Sequence, residues 1–144
     1  MASKYQITRA ADLEALADFH ELIDRACGEQ PAVDRTTCYE LKLAVEEACA
    51  NVVTHGYAGM NPGSIVLQLA FDPGQVRVTL TDFGHAFEPC EPDAPDLEAA
   101  LEEGLSQGFG LYIIYQTMDD IQYHTAQDGN HLVFTKRLPA GRKA

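Results

Sequence analysis

No two of the four cysteines form a CxxC pair: Cys27, Cys38, Cys49 and Cys90 stand apart along the chain. Structural zinc sites need close ligand pairs, and disulfide frameworks belong to smaller secreted domains, so both are disfavoured. Buried free thiols are the expected state. No apolar run approaches the ~20 residues that span a bilayer, and the opening Met1-Ala2-Ser3-Lys4-Tyr5 lacks the apolar core of a secretory signal. A soluble chain in the cytoplasm, without a membrane partner, is expected. Cations are also in short supply, with 10 Lys and Arg against 22 Asp and Glu and a net charge of -12. A nucleic-acid groove needs clustered cations to replace counterions, and here they gather only in the tail. Direct nucleic-acid binding is therefore disfavoured, whereas a basic protein partner or a metal-bridged anion suits the charge. Internal repeats and long low-complexity tracts are absent too.

What is present is enough for one folded unit. Hydrophobic residues make up 46 % of 144 positions, which suits a single domain over residues 1–144. Residues 5–8 suit a short first strand. Leu13, Leu16, Ile23 and Cys27 follow at mostly helical spacing, with Asp12 as N-cap and Gly28 and Pro31 as the stop. A second helix is expected over residues 34–55, closing at Gly56. Strands over residues 64–71 and 75–81 flank Asp72-Pro73-Gly74 and predict a hairpin. A Pro- and acid-rich stretch over residues 83–107, with a short helix near 97–103, leads to a third helix. That helix begins near Gly110 and carries Leu111, Ile114, Tyr115 and Met118 on one face. Strands over residues 121–125 and 131–138, joined by Gln127-Asp128-Gly129-Asn130, close the chain. The sum is an α+β fold, a two-layer sandwich with a mostly antiparallel sheet and helices on one face.

Three segments carry candidate chemistry. On the second helix, Leu41, Val45, Ala48, Cys49 and Val52 form an apolar arc, and Glu47, Asn51 and His55 form a polar stripe along its edge. Mg²⁺ takes hard oxygen ligands and keeps several waters, so one amide oxygen plus substrate phosphates can hold it. A neighbouring carboxylate is then free to take a proton from a hydroxyl. A solvated helix edge explains the same stripe. Next, Thr81-Asp82-Phe83-Gly84-His85-Ala86-Phe87 leaves the end of an apolar strand. Its Asp can accept from an exocyclic amine, and Gly84 lets a flat base approach, although Asp-x-Gly also occurs in ordinary turns. Finally, Gly108-Phe109-Gly110-Leu111 opens a helix, where free N–H groups bind phosphate oxygens; alone, that motif is common. The histidines outside these segments suit surface or packing roles, and His85 has no identifiable partner.

The order of the three segments is more specific than any one of them. Glu-x-x-x-Asn on a helix, DxG at a strand end, and GxGL opening a helix resembles the GHKL (Bergerat) ATP-binding fold. Within that superfamily the chain is most similar to RsbW/SpoIIAB-type anti-sigma-factor serine/threonine kinases. Ala44 to Asn51 running on to His55-Gly56-Tyr57, Phe87-Glu88-Pro89, and Met118-Asp119-Asp120-Ile121 carry that similarity. It spans roughly residues 41–138.

The resemblance implies roles residue by residue. Glu47 is the general base, and Asn51 is the Mg²⁺ ligand and part of the nucleotide site. Glu46 points about 100° away around the helix and is not given the catalytic role. Asp82 holds the adenine amino group, with Gly84 beside the base and Phe87 in the same segment. Gly108, Phe109, Gly110 and Leu111 line the phosphate side. ATP or ADP with Mg²⁺ is the implied ligand. The implied partners are a sigma factor or similar regulator and a STAS-like antagonist that is phosphorylated, with a homodimer left open. The chain departs from the pattern at Ala86, where a second glycine often follows DxG. It also has no Lys or Arg between Arg77 and Lys136; Leu105, Ser106 and Gln107 stand where catalytic kinases often place a cation. These departures keep a second reading in view, a nucleotide-dependent protein-binding module with little phosphotransfer. A histidine-kinase catalytic domain fits less well, since an upstream helix with a phospho-acceptor His finds no room.

Overall fold

The structure, a computed structural model, describes residues 3–85, 114 and 116–139, and of His55 only the backbone. Five strands form one sheet: β1 (Ser3–Ala10), β2 (Ser64–Asp72), β3 (Gln75–Asp82), β4 (Asp120–Ala126) and β5 (Gly129–Arg137). Their order is β1-β2-β3-β5-β4, and every neighbouring pair is antiparallel. Among the described residues, helices α1 (Ala15–Gly28) and α2 (Arg35–Asn51) cover one face. The α+β sandwich expected from the sequence is thus the observed architecture.

Strand alternation makes the two faces unlike. Ile65, Leu67, Leu69 and Phe71 of β2, Val76, Val78 and Leu80 of β3, and Phe134 of β5 point under the helices and are buried. They meet Phe19, Leu22 and Ile23 of α1 and Leu41, Ala44, Val45 and Ala48 of α2 in one core. The opposite face carries Gln6, Gln68, Arg77 and Gln122, all exposed. There Gln68 Nε2 donates to Gln6 Oε1 across the strands at 3.0 Å. Period-2 alternation fixes this register, because a one-residue slip would turn the apolar set to water.

Local chemistry sets most element ends. Asp34 caps α2, its carboxylate accepting from the Thr37 N–H at 2.8 Å. That bond holds the Asp34 carboxyl below its ordinary range. Pro73 and Gly74 turn β2 into β3, with Gly74 at φ 90°. The Pro ring presets the first corner, and the absent Cβ permits the second.

Two expectations need correction. Asp12 is not the N-cap of α1, which begins at Ala15 after a turn, with Glu14 in the cap position. The Asp12 carboxylate still accepts from the Ala15 N–H at 3.1 Å, while Leu13 stays 59 % exposed, outside the buried stripe. The described thiols are free, but only Cys49 is buried; Cys27 and Cys38 are half-buried. Burial pushes the Cys49 thiol up to about 12. Cys90, the short helix near 97–103 and the start of the third helix at Gly110 lie outside the described residues. Ile114 is buried in the core, Thr117 is helical, and Met118, just past them, is buried too.

Candidate functional site

The α-helical ladder of α2 ends at Asn51 and continues as a π turn, Val52–Gly56. The Tyr57 N–H reaches back five residues to the Val52 carbonyl at 3.1 Å. Such wide turns mark functional sites in many helices. Here the turn carries Gly56 to the end of β3. The His85 N–H donates to the Gly56 carbonyl, and the Gly84 Cα packs against the same peptide. A Cβ on Gly84 would run into that carbonyl. Gly84 is therefore required by the meeting of two backbone segments, a reason distinct from the approach of a ligand.

Asp82 closes β3 and is 6 % exposed. Its Oδ1 accepts from the Gly84 N–H at 2.9 Å and from Asn130 Nδ2 at 3.0 Å. Tyr57 braces the same turn, its hydroxyl accepting from the Phe83 N–H at 3.0 Å and donating to the Ser64 carbonyl at 2.8 Å. His85, for which the sequence suggests no partner, has its ring Nε2 3.0 Å from the Ala58 carbonyl. Asn130 is the residue that sequence reasoning misses. It reads as the end of a turn, and only the pairing of β3 with β5 sets it opposite Asp82.

A cavity opens between α2 and the sheet at this point. Ala48, Asn51, Val52 and Gly56 line it from the helix side, and Leu80, Asp82, Tyr123 and Leu132 from the strands, with His85 at its edge. Asn51 and Asp82, thirty-one positions apart in sequence, thus share one cavity. Its walls are mainly apolar, with a carboxylate and an amide as fixed polar points. That combination suits a flat ring that buries its faces and offers a donor to Asp82. Glu47 lies one helical turn before Asn51 and is not among the lining residues. It is half-buried, and its carboxyl is raised by desolvation and then by the charge of Glu46.

The cationic side is sparse. Among the described residues no group of three or more His, Cys, Asp or Glu is placed to hold a metal ion. A divalent cation beside Asn51 would draw most ligands from phosphate and water, which is how Mg²⁺ is commonly held. Of the two cations that bracket the acid-rich stretch, Arg77 lies on the open face of the sheet. Lys136 is engaged, donating to the Thr117 carbonyl at 2.6 Å and pairing with Glu40 at 3.1 Å. Phe87, Gly108, Phe109, Gly110 and Leu111 lie outside the described residues, as does the side chain of His55. No helix among the described residues is long and apolar enough to cross a membrane.

An antiparallel sheet with one helical layer, and a mainly apolar cavity between that layer and a strand-end carboxylate, place the chain in the α+β class of two-layer sandwiches. The family model of the histidine kinase-like ATPase domain matches residues 9–136, and the chain belongs to that family. Its relatives include the serine/threonine-protein kinase BtrW of Bordetella bronchiseptica, 29 % identical over 97 residues, covering 67 % of this chain and 68 % of that protein. The anti-sigma F factor of Halalkalibacterium halodurans is 28 % identical over 114 residues, covering 79 % and 77 %. The serine-protein kinase RsbW of Bacillus velezensis is 29 % identical over 107 residues, covering 72 % and 66 %.

Proposed function

We propose that this chain is an anti-sigma-type regulator that binds Mg-ATP or Mg-ADP and phosphorylates a serine or threonine of an antagonist protein. The observation that carries the reading is the shared cavity of Asn51 and Asp82. Asp82 accepts the exocyclic amine of adenine, and Val52, Leu80 and Leu132 cover the ring. Asn51 offers its amide oxygen to Mg²⁺. Bound Mg-ATP supplies the phosphoryl group and the charge neutralisation for its transfer. Glu47, one helical turn before Asn51, takes the proton of the incoming hydroxyl; its raised carboxyl brings it closer to the basicity such a role needs. The names of the relatives, anti-sigma F factor and serine-protein kinase, support sigma-factor binding and serine phosphorylation; the reading adds a partner switch in the cytoplasm, with a sigma factor or similar regulator held in one state and a STAS-like antagonist modified in the other. A homodimer is compatible with this scheme.

Calorimetry of nucleotide-free protein with Mg-ADP tests the first half. A saturable heat is expected, with thermal stabilisation that grows with ligand concentration. No heat and no stabilisation at millimolar nucleotide would remove the reading. A phosphotransfer assay with the cognate antagonist tests the second half.

One observation favours a second reading, a nucleotide-dependent binding module. Lys136 is held by Glu40 and Thr117, and Arg77 lies on the far face, so neither serves the phosphates. Retained nucleotide binding without phosphotransfer to the cognate partner would establish that version.

A further inference from the structure

We propose that Asn130 is a positioning residue that fixes the Asp82 carboxylate and thereby makes the cavity selective for a base bearing an exocyclic amine. This rests on reading the cavity as an adenine-nucleotide site. Asn130 is 6 % exposed and stands opposite Asp82 in the β3–β5 ladder. Its amide nitrogen lies 3.0 Å from Asp82 Oδ1 and 2.9 Å from the Gly84 carbonyl, with the His85 carbonyl at 3.5 Å. A primary amide has two hydrogens on that nitrogen. One reaches the carboxylate and the other reaches the turn.

The fork has a directional consequence. The Gly84 N–H also donates to Oδ1, so both hydrogen bonds that described residues give Asp82 fall on the same oxygen. Rotation of the carboxylate would break both. Oδ2, to which no described residue donates, is then the acceptor left for a ligand, and fixing Oδ1 fixes its direction before any ligand arrives. A base with an amine at that point gains a hydrogen bond. A base with a carbonyl there sets oxygen against oxygen. Unpaired buried polar groups are costly, which is how preset acceptors reject the wrong partner.

The sequence around Asn130 shows how the fork reaches its target. Gly129 has φ 125°, a region L side chains rarely adopt. A Cβ there would stand 2.8 Å from the Asp82 carbonyl oxygen and 3.1 Å from the Phe83 ring. The glycine lets β5 begin pressed against the end of β3. Asn130 follows in the one position from which a short amide spans both Asp82 and Gly84. An aspartate would place a second carboxylate against the first, and an alanine would leave Oδ1 and the Gly84 carbonyl each short of a donor.

The test is nucleotide binding by the full chain, comparing Mg-ADP with Mg-IDP, in which a carbonyl replaces the exocyclic amine. The wild type should prefer ADP, and Asp82→Asn should lose that preference. Asn130→Ala should reduce the ADP-to-IDP affinity ratio roughly tenfold, as expected for losing a hydrogen bond to a charged group. A purely structural role would weaken both nucleotides alike and leave the ratio unchanged, and that result overturns the proposal. If Asn130→Ala does not fold, Asn130→Thr keeps one O–H donor and should give an intermediate ratio; a wild-type ratio there also overturns it. A preference lost in Asp82→Asn but intact in the Asn130 variants refutes positioning alone. No preference in the wild type refutes the base-site reading and this proposal with it.

Discussion

The two ends of the cavity are built differently. At the Asp82 end, the turn, β5 and the π turn all converge: Gly84 and Asn130 bond to the carboxylate, Tyr57 braces the backbone, and Gly56 receives the His85 N–H. On the α2 side, Asn51 lines the cavity while Glu47 stands one turn before it, outside the lining, and among the described residues no hydrogen bond reaches either side chain. On the proposed reading, this contrast separates recognition from chemistry. The Asp82 side is organised by the fold itself. On the α2 side, in the proposed function, the ligand, its cation and the incoming protein would supply that order.

Phosphotransfer should break the comparison most sharply. Glu47→Gln keeps the shape of the helix edge and should leave Mg-ADP affinity intact. The transfer rate to the cognate antagonist should fall roughly 10²–10⁴-fold if Glu47 acts as a general base. Nearly equal rates for the two proteins, followed by single-turnover labelling, would exclude that role.

At the organised end, a single methyl group should be damaging. Gly84→Ala drives a Cβ into the Gly56 carbonyl. Overpacking costs about 1–3 kcal/mol, and a backbone obstacle places this variant near the upper end. Thermal unfolding should show a drop of roughly 5 °C or more. An unchanged midpoint would mean that the two backbones separate at little cost.

Asn51→Ala should sit lower on the scale. Even outer changes around metal sites cost 10–100-fold in metal affinity, so loss of a direct ligand should weaken Mg-nucleotide binding at least roughly tenfold. Binding measured in excess EDTA should hardly move. Equal losses with and without Mg²⁺ would assign Asn51 to the nucleotide rather than to the cation.

The smallest effect concerns pH. Burial raises the Glu47 carboxyl in the folded state above its unfolded value, so folding disfavours the charged form. The penalty is absent below the unfolded value and develops as pH rises through the folded one. Asp34 behaves oppositely: its lowered carboxyl contributes stability above its unfolded value, which is lost as pH falls through the folded one. The Tm difference between Glu47→Gln and wild type should therefore grow in the variant's favour from about pH 4 to about pH 7. A constant difference would show that Glu47 is solvated as well folded as unfolded.

Local signals are legible in the residues themselves. Asp34 ahead of an apolar-periodic run, Pro73-Gly74 between alternating strands, and Asp82 at the end of an apolar strand each announce their geometry through neighbours in sequence. Features that depend on distant partners are not legible in this way. Asn130 reads as part of a turn, because its acceptors lie 48 and 46 residues away. Gly84 reads as clearance for a base, whereas its backbone meets Gly56 across 28 positions. The cap of α1 is misread from residue type because Asp12 satisfies an N–H of the helix from a preceding turn, a geometry that the residue type alone does not distinguish.

The π turn after Asn51 has a consequence for editing the chain. A π turn is a helix with one residue more than its α-helical pitch needs. Removing one residue between Val52 and Gly56 would let α2 continue with regular pitch, satisfied hydrogen bonds and an intact core face. Every residue beyond the deletion would nonetheless rotate by about 100° around the axis. The Gly56 carbonyl would leave the His85 N–H, and Tyr57 would leave Phe83 and Ser64. A single-codon deletion would therefore yield a helix that is locally better and a cavity with no back wall, so that length, rather than composition, is the quantity this segment must keep.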